Sequence, residues 1–168
     1  MLGLLRSLAA VIAASGLLTA TAAGQMISAV TGEQLSRALD SAGLNPTLTQ
    51  DAATGAPVAN GMAGEFAFHV RALSCSGAPA ACENLVFFAN FDLGRAATAQ
   101  DFRIINQFND SQVFGRAYVL ESSNQVGVDY VIELGGGVSE DHLAQNVGRW
   151  ADVISAFVDK FREGATSS

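Results

Sequence analysis

Lysine is almost absent from this chain: Lys160 is the only one among 168 residues. The nine basic side chains face sixteen acidic ones. Without Arg6, the only charge before Glu33, eight remain and the net charge is −8. A nucleic-acid partner needs a basic stripe to meet phosphate, and the sequence has none. An anionic membrane surface would repel such a chain. Histidine and cysteine are equally scarce, two of each. His69 and His142 stand apart, and neither has a nucleophile motif beside it. A zinc site wants three or four ligands, and His69 is the only extra candidate near the cysteines. No metal, cofactor or catalytic set is therefore expected, and the reading is of a non-enzyme.

What the chain does have is an export signature. Met1–Arg6 is a short basic start. Leu8–Thr19 is apolar, and Ala20-Thr21-Ala22 fits a small-residue cleavage site. Cleavage after Ala22, Ala23 or Gly24 is expected, so residues 1–24 read as a signal peptide. The apolar run is short and alanine-rich for a membrane span, and no cysteine nearby could take a lipid. No stable membrane insertion is expected after cleavage, and the destination is periplasmic or secreted. Cys75 and Cys82 agree with an oxidising compartment. A close pair around Ser-Gly-Ala-Pro-Ala-Ala is expected to be a structural disulfide. Free thiols are the alternative.

Residues 25–163 read as one α+β domain. Thr31 and Gln34 form a capping box for a helix over 32–42, closed by Gly43. Strands follow at 44–50, starting near Pro46, then at 57–62 and 65–72. The last alternates Phe66, Phe68, Val70 and Ala72 with Glu65, Ala67, His69 and Arg71, the pattern of a half-buried strand. Residues 84–93 are apolar on both faces: Leu85, Phe87, Ala89 and Phe91 on one, Val86 and Phe88 on the other. Such a strand is expected to be central and covered on both sides. If the Val86/Phe88 side is left bare, it becomes a partner surface.

Thr98 opens a second helix ending near Asn109-Asp110. A hairpin pairs 115–121 with 125–134, whose Val126, Val128, Tyr130, Ile132 and Leu134 face the core. Its Asp129 and Glu133 lie roughly 13 Å apart by strand rise, too far for a carboxylate dyad. Ser139 caps the longest helix, with a stripe of Leu143, Val147, Trp150, Ile154, Phe157 and Phe161. Residues 164–168 read as a disordered tail. The order α-β-β-β-β-α-β-β-α predicts an antiparallel sheet with packed helices.

Thr31-Gly-Glu-Gln-Leu35, Ala42-Gly43-Leu44, Asp51 to Gly55 with Pro57, and the two cysteines flanking an apolar strand occur in that order. Ile105-Asn106, Phe108-Asn109, Phe114-Gly-Arg-Ala-Tyr118, Asp129, Gly136-Gly-Val-Ser-Glu140 and Trp150 follow. This colinear set resembles the YbjN domain family over Thr31–Phe161. Phe108 stands where that family tends to have Trp, and Val113 where it often has a basic residue. The resemblance implies a type III secretion chaperone-like fold and a sensory or regulatory role without established enzyme activity. It also implies protein binding and a possible homodimer. An exported member would not meet cytosolic secretion substrates. The expectation is thus an exported, non-catalytic module engaging a protein partner of unknown identity. The alternative is a small-ligand carrier of the cell envelope, with an apolar pocket between the sheet and the last helix.

Overall fold

The structure, a computed structural model, describes residues 26–166. The signal segment expected over 1–24 lies outside the described residues. The elements in chain order are β1 (Met26–Ile27), β2 (Val30–Thr31), α1 (Gly32–Ser41), β3 (Thr47–Gln50), β4 (Pro57–Ala63), β5 (Phe66–Ser76) and β6 (Ala81–Asp92). They continue with α2 (Ala99–Ser111), β7 (Arg116–Leu120), β8 (Gln125–Glu133), β9 (Val138–Ser139) and α3 (Glu140–Thr166). Apart from β1, β2 and β9, this is the expected order. Those three are two-residue pairings, too short for any periodicity to show. The main sheet is antiparallel in the order β3-β4-β5-β6-β8-β7, with β2 added beside the start of β6.

The helices begin where their caps dictate. Thr31 Oγ1 accepts from Gln34 N–H at 3.3 Å, and Gln34 Oε1 accepts from Thr31 N–H at 2.8 Å. At α2, Asp101 Oδ2 accepts from Thr98 N–H at 2.7 Å and from Thr98 Oγ1 at 2.8 Å. The same carboxylate takes both terminal nitrogens of Arg95, at 2.7 and 2.9 Å. Asp101 is buried, and its charge is compensated on every side. At α3, Ser139 Oγ accepts from His142 N–H at 3.1 Å.

The α3 stripe lies on the sheet as expected. Trp150 sits between Phe68 and Phe87, with ring centroids 5.8 Å from each. Phe157 meets Phe91 at 5.6 Å and Phe108 of α2 at 5.5 Å. Leu85, Ala89, Val126, Val128, Ile132 and Leu134 complete the floor of this core.

The strand expected to start near Pro46 begins at Thr47, because Leu44 N–H still closes α1 onto Leu39 O at 3.0 Å and Asn45 is left-handed, φ 43°. Two sequence expectations are corrected. The tail does not begin at Gly164. The helix runs on to Thr166, and Gln100 Nε2 donates to Gly164 O at 3.2 Å. A Cβ on Gly164 would stand 2.5 Å from the Ile104 side chain, so a glycine lets α2 and α3 touch there. The row of Val86 and Phe88, expected under cover, is bare, since all three helices gather on the opposite face and leave both residues half-buried.

Cys75 and Cys82 stand directly opposite each other on β5 and β6, sulfurs 2.14 Å apart. The bond staples the far end of the longest hairpin. Replacing both cysteines with alanine should lower unfolding stability by about 2.5 kcal/mol from the lost loop constraint, read by urea denaturation. The Asp101 carboxyl is held well below the usual carboxylate range, first by the Arg95 hydrogen bonds, against the cost of burial, then by the Thr98 donors. A depressed carboxyl stabilises the fold fully above its unfolded pKa of about 4, and that contribution fades as pH falls below it. Asp101→Asn should therefore flatten the acid limb of stability against pH, measured by thermal melts from pH 7 downward.

Candidate binding face

The bare face is built by alternation. Every strand sends one side chain in two toward α3 and the next away from it. Register then aligns the outward residues in rows across the sheet. One row runs Asn60, His69, Phe88, Asp129, Arg116 through β4, β5, β6, β8 and β7. A second runs Val58, Arg71, Val86, Val131. A third runs Asn90, Gly127, Tyr118.

Phe88 is the centre. The His69 ring lies 5.3 Å from it, and the Arg71 guanidinium stands over it at 5.9 Å. On its other flank Asp129 accepts from Arg116 Nε at 3.2 Å and from Arg116 Nη2. The pairing strengthens the hold of Arg116 on its proton. Phe88, Arg71, Arg116 and Asp129, together with Val86, Asn90, Tyr118 and Leu120, line a shallow depression of about 480 Å³. Val131, 54% exposed, extends the apolar surface beside it.

Gly127 shapes the depression. Tyr118 lies across β8 and its hydroxyl donates to Asn90 Oδ1 at 2.7 Å, two strands away. A Cβ on Gly127 would stand 2.4 Å from that Oδ1 and 2.6 Å from the Tyr118 ring. The missing side chain therefore lets the ring lie flat. Burial, then the nearby Asp129 charge, push the Tyr118 phenol up to about 12, so it remains a neutral hydrogen-bond donor.

Of the residues singled out in the sequence, the structure unites Val86, Phe88, His69 and Asp129 on this face. It does not unite them as chemistry. The Phe88 ring separates His69 from Asp129, which lie two strand spacings apart, about 10 Å. His69 Nδ1 is hydrogen-bonded to Asn60 Oδ1 at 2.6 Å, and Asp129 is bound to Arg116. His142 is on α3, behind the sheet. Among the described residues no three His, Cys, Asp or Glu gather as metal ligands. The sequence reading missed Tyr118, Asn90 and Gly127 as a unit. Only the register reveals them, because their positions, 28 residues apart for the bonded pair, carry no spacing signal.

Several residues behind the family resemblance prove to be structural. The Asn109 side-chain oxygen accepts from Ala117 N–H at 2.7 Å and its amide donates to Ala117 O at 3.0 Å. Gly115, at φ 85°, brings the chain against α3, where a Cβ would meet Val153 at 2.6 Å. Phe114 carries Arg149 over its ring at 4.1 Å, and Arg149 donates to Asn146, which also accepts from the Tyr130 hydroxyl. The hollow between the sheet and α3, lined by Phe66, Phe91, Phe157 and Phe161, measures about 180 Å³. That falls below the roughly 300 Å³ of a small-molecule site, while a hollow of about 320 Å³ opens beside the start of α3, lined by Val30, Ala38, Glu140 and Leu143.

The fold defines a two-layer α+β domain, with its helices on one face of an antiparallel sheet and the other face open. Residues 31–163 match the YbjN family, described as "Putative bacterial sensory transduction regulator". The chain belongs to the YbjN family. A solved structure, "Crystal structure of YbjN, a putative transcription regulator from E. coli", is 14% identical, with a TM-score of 0.46 over 73% of this chain and 87% of that one. No curated protein matches.

Gly127→Ala should displace Tyr118, break its bond to Asn90 and cost about 1–3 kcal/mol through overpacking. Loss of the Tyr118 ring-proton contacts to β8 in NMR spectra, with a lowered melting temperature, is the expected result.

Proposed function

We propose that this protein is an exported, non-catalytic regulatory module that engages a protein partner through the open sheet face centred on Phe88. One observation carries the reading. All three helices cover one side of the sheet and leave Val86, Phe88, Tyr118, Leu120 and Val131 on the other. An apolar face with arginines and a tyrosine set among it has the composition of binding hot spots. The ion pair of Arg116 and Asp129 and the exposed Arg71 supply orientation at its rim.

The export part rests on residues 1–24 and on the disulfide pair, which suits an oxidising compartment. The regulatory part rests on the family. Among the described residues no helix is long and apolar enough to cross a membrane.

Phe88→Glu places a charge at the centre of the face without touching the core. Phe102→Glu, on α2 and 44% exposed, is the matched control behind the sheet. In a pull-down from envelope extract, Phe88→Glu should lose the captured partner, while Phe102→Glu retains it. Both should melt within a few degrees of the parent. Equal capture by both variants would place the partner elsewhere. An intact Met1 in the mass of the isolated protein would remove the export part.

A further inference from the structure

Charge is spread unevenly over the hollows of this surface. The depression on the open face sets Arg71 and Arg116 against one carboxylate, Asp129. The hollow beside the start of α1 holds Glu33 and no basic side chain. Between α1 and α3, Arg37 is balanced by Glu140, and in the aromatic hollow Arg162 is balanced by Asp92. A net positive depression thus lies on a chain that carries a net −8.

Both arginines of that depression are presented outward. Asp129 grips Arg116 through Nε and Nη2, and among the described residues Nη1 has no partner. Asp129 is the covered member of the pair, its side chain 13% exposed against 74% for Arg116. The carboxylate therefore fixes the direction of the guanidinium, and the cation is what a ligand meets. Arg71 is exposed and lies over Phe88. Its charge reaches Asp51, but among the described residues its guanidinium makes no hydrogen bond or ion pair. Between the two cations the floor is apolar: Phe88, Val86 and Leu120.

The spacing narrows the ligand further. Arg71 on β5 and Arg116 on β7 are three strand spacings apart, roughly 14 Å. In an extended peptide, side chains i and i+4 lie about 13 Å apart on one face, with i+2 between them. A shallow depression suits a chain laid across it. We propose that the partner of this face presents an extended acidic segment of the form acidic-x-apolar-x-acidic. Its apolar side chain sits over Phe88 and its two carboxylates meet Arg71 and Arg116. The inference rests on the open face as docking surface, and it adds the chemistry of what docks.

The probes are three heptapeptides blocked at both ends: Gly-Glu-Ser-Leu-Ser-Glu-Gly and its copies with glutamine or lysine replacing both glutamates. Each is titrated into the protein as isolated and followed by NMR. The glutamate peptide should bind tightest and the lysine peptide weakest, the reverse of the order that net charge alone would impose. It should shift the Phe88 ring signals and the Nε–H signals of Arg71 and Arg116. Arg71→Gln should weaken it about two- to fivefold, the range of an exposed ion pair. Arg116→Gln together with Asp129→Asn, which leaves no carboxylate unpaired, should weaken it likewise. Arg103→Gln, the same loss of charge on α2 behind the sheet, should leave binding unchanged. A lysine peptide that binds as tightly as the glutamate peptide would overturn the proposal. So would binding indifferent to the Arg71 and Arg116 substitutions in folded variants, or no binding of the glutamate peptide at millimolar concentration. If Phe88→Glu still loses the captured partner in that case, the open face stands and only its acidic ligand falls. If Phe88→Glu retains the partner, the face itself falls.

Discussion

Trp150, seated between Phe68 of β5 and Phe87 of β6, joins the longest helix to the middle of the sheet. A buried ring of this size contributes several kcal/mol, and the other core contacts spread out from it. Phe157 carries the same helix on to Phe91 and to Phe108 of α2. Arg149, Asn146 and Tyr130 tie its first half to β8 by hydrogen bonds. Among the described residues all the helices thus gather on one side, and the same alternation that builds the core presents Phe88 on the other.

That one-sidedness decides what the molecule can do. A two-layer α+β domain keeps one sheet face free, and this one furnishes it with aromatic rings, arginines and a bound ion pair rather than with solvated charge alone. The polar groups there satisfy one another: Tyr118 with Asn90, His69 with Asn60, Arg116 with Asp129. Groups so engaged shape and orient a surface. The family description names a regulator, and the binding role proposed for this face is compatible with it.

Edges and faces play separate parts. Asn109, which first draws notice as part of a family motif, works as a plug on one edge of the sheet.

Most of the fold was legible in the sequence because it rests on local rules. The Thr31/Gln34 capping box, the alternation over Phe66–Ala72 and the Leu143–Phe161 stripe each settle an element from its own residues. The sequence by itself determined the elements other than the two-residue strands β1, β2 and β9, their order, the buried rows of β5, β6 and β8, the acidic charge and the cysteine pair. Only the tertiary structure decided which side of the sheet the helices cover. Val86 and Phe88 are as apolar as residues under a second layer, and hydrophobicity alone cannot tell a covered face from an open one. Cross-strand register also had to be seen. It is fixed by long-range pairing, and it alone brings Asn90, Tyr118 and the bare Gly127 together, or shows that Phe88 parts His69 from Asp129.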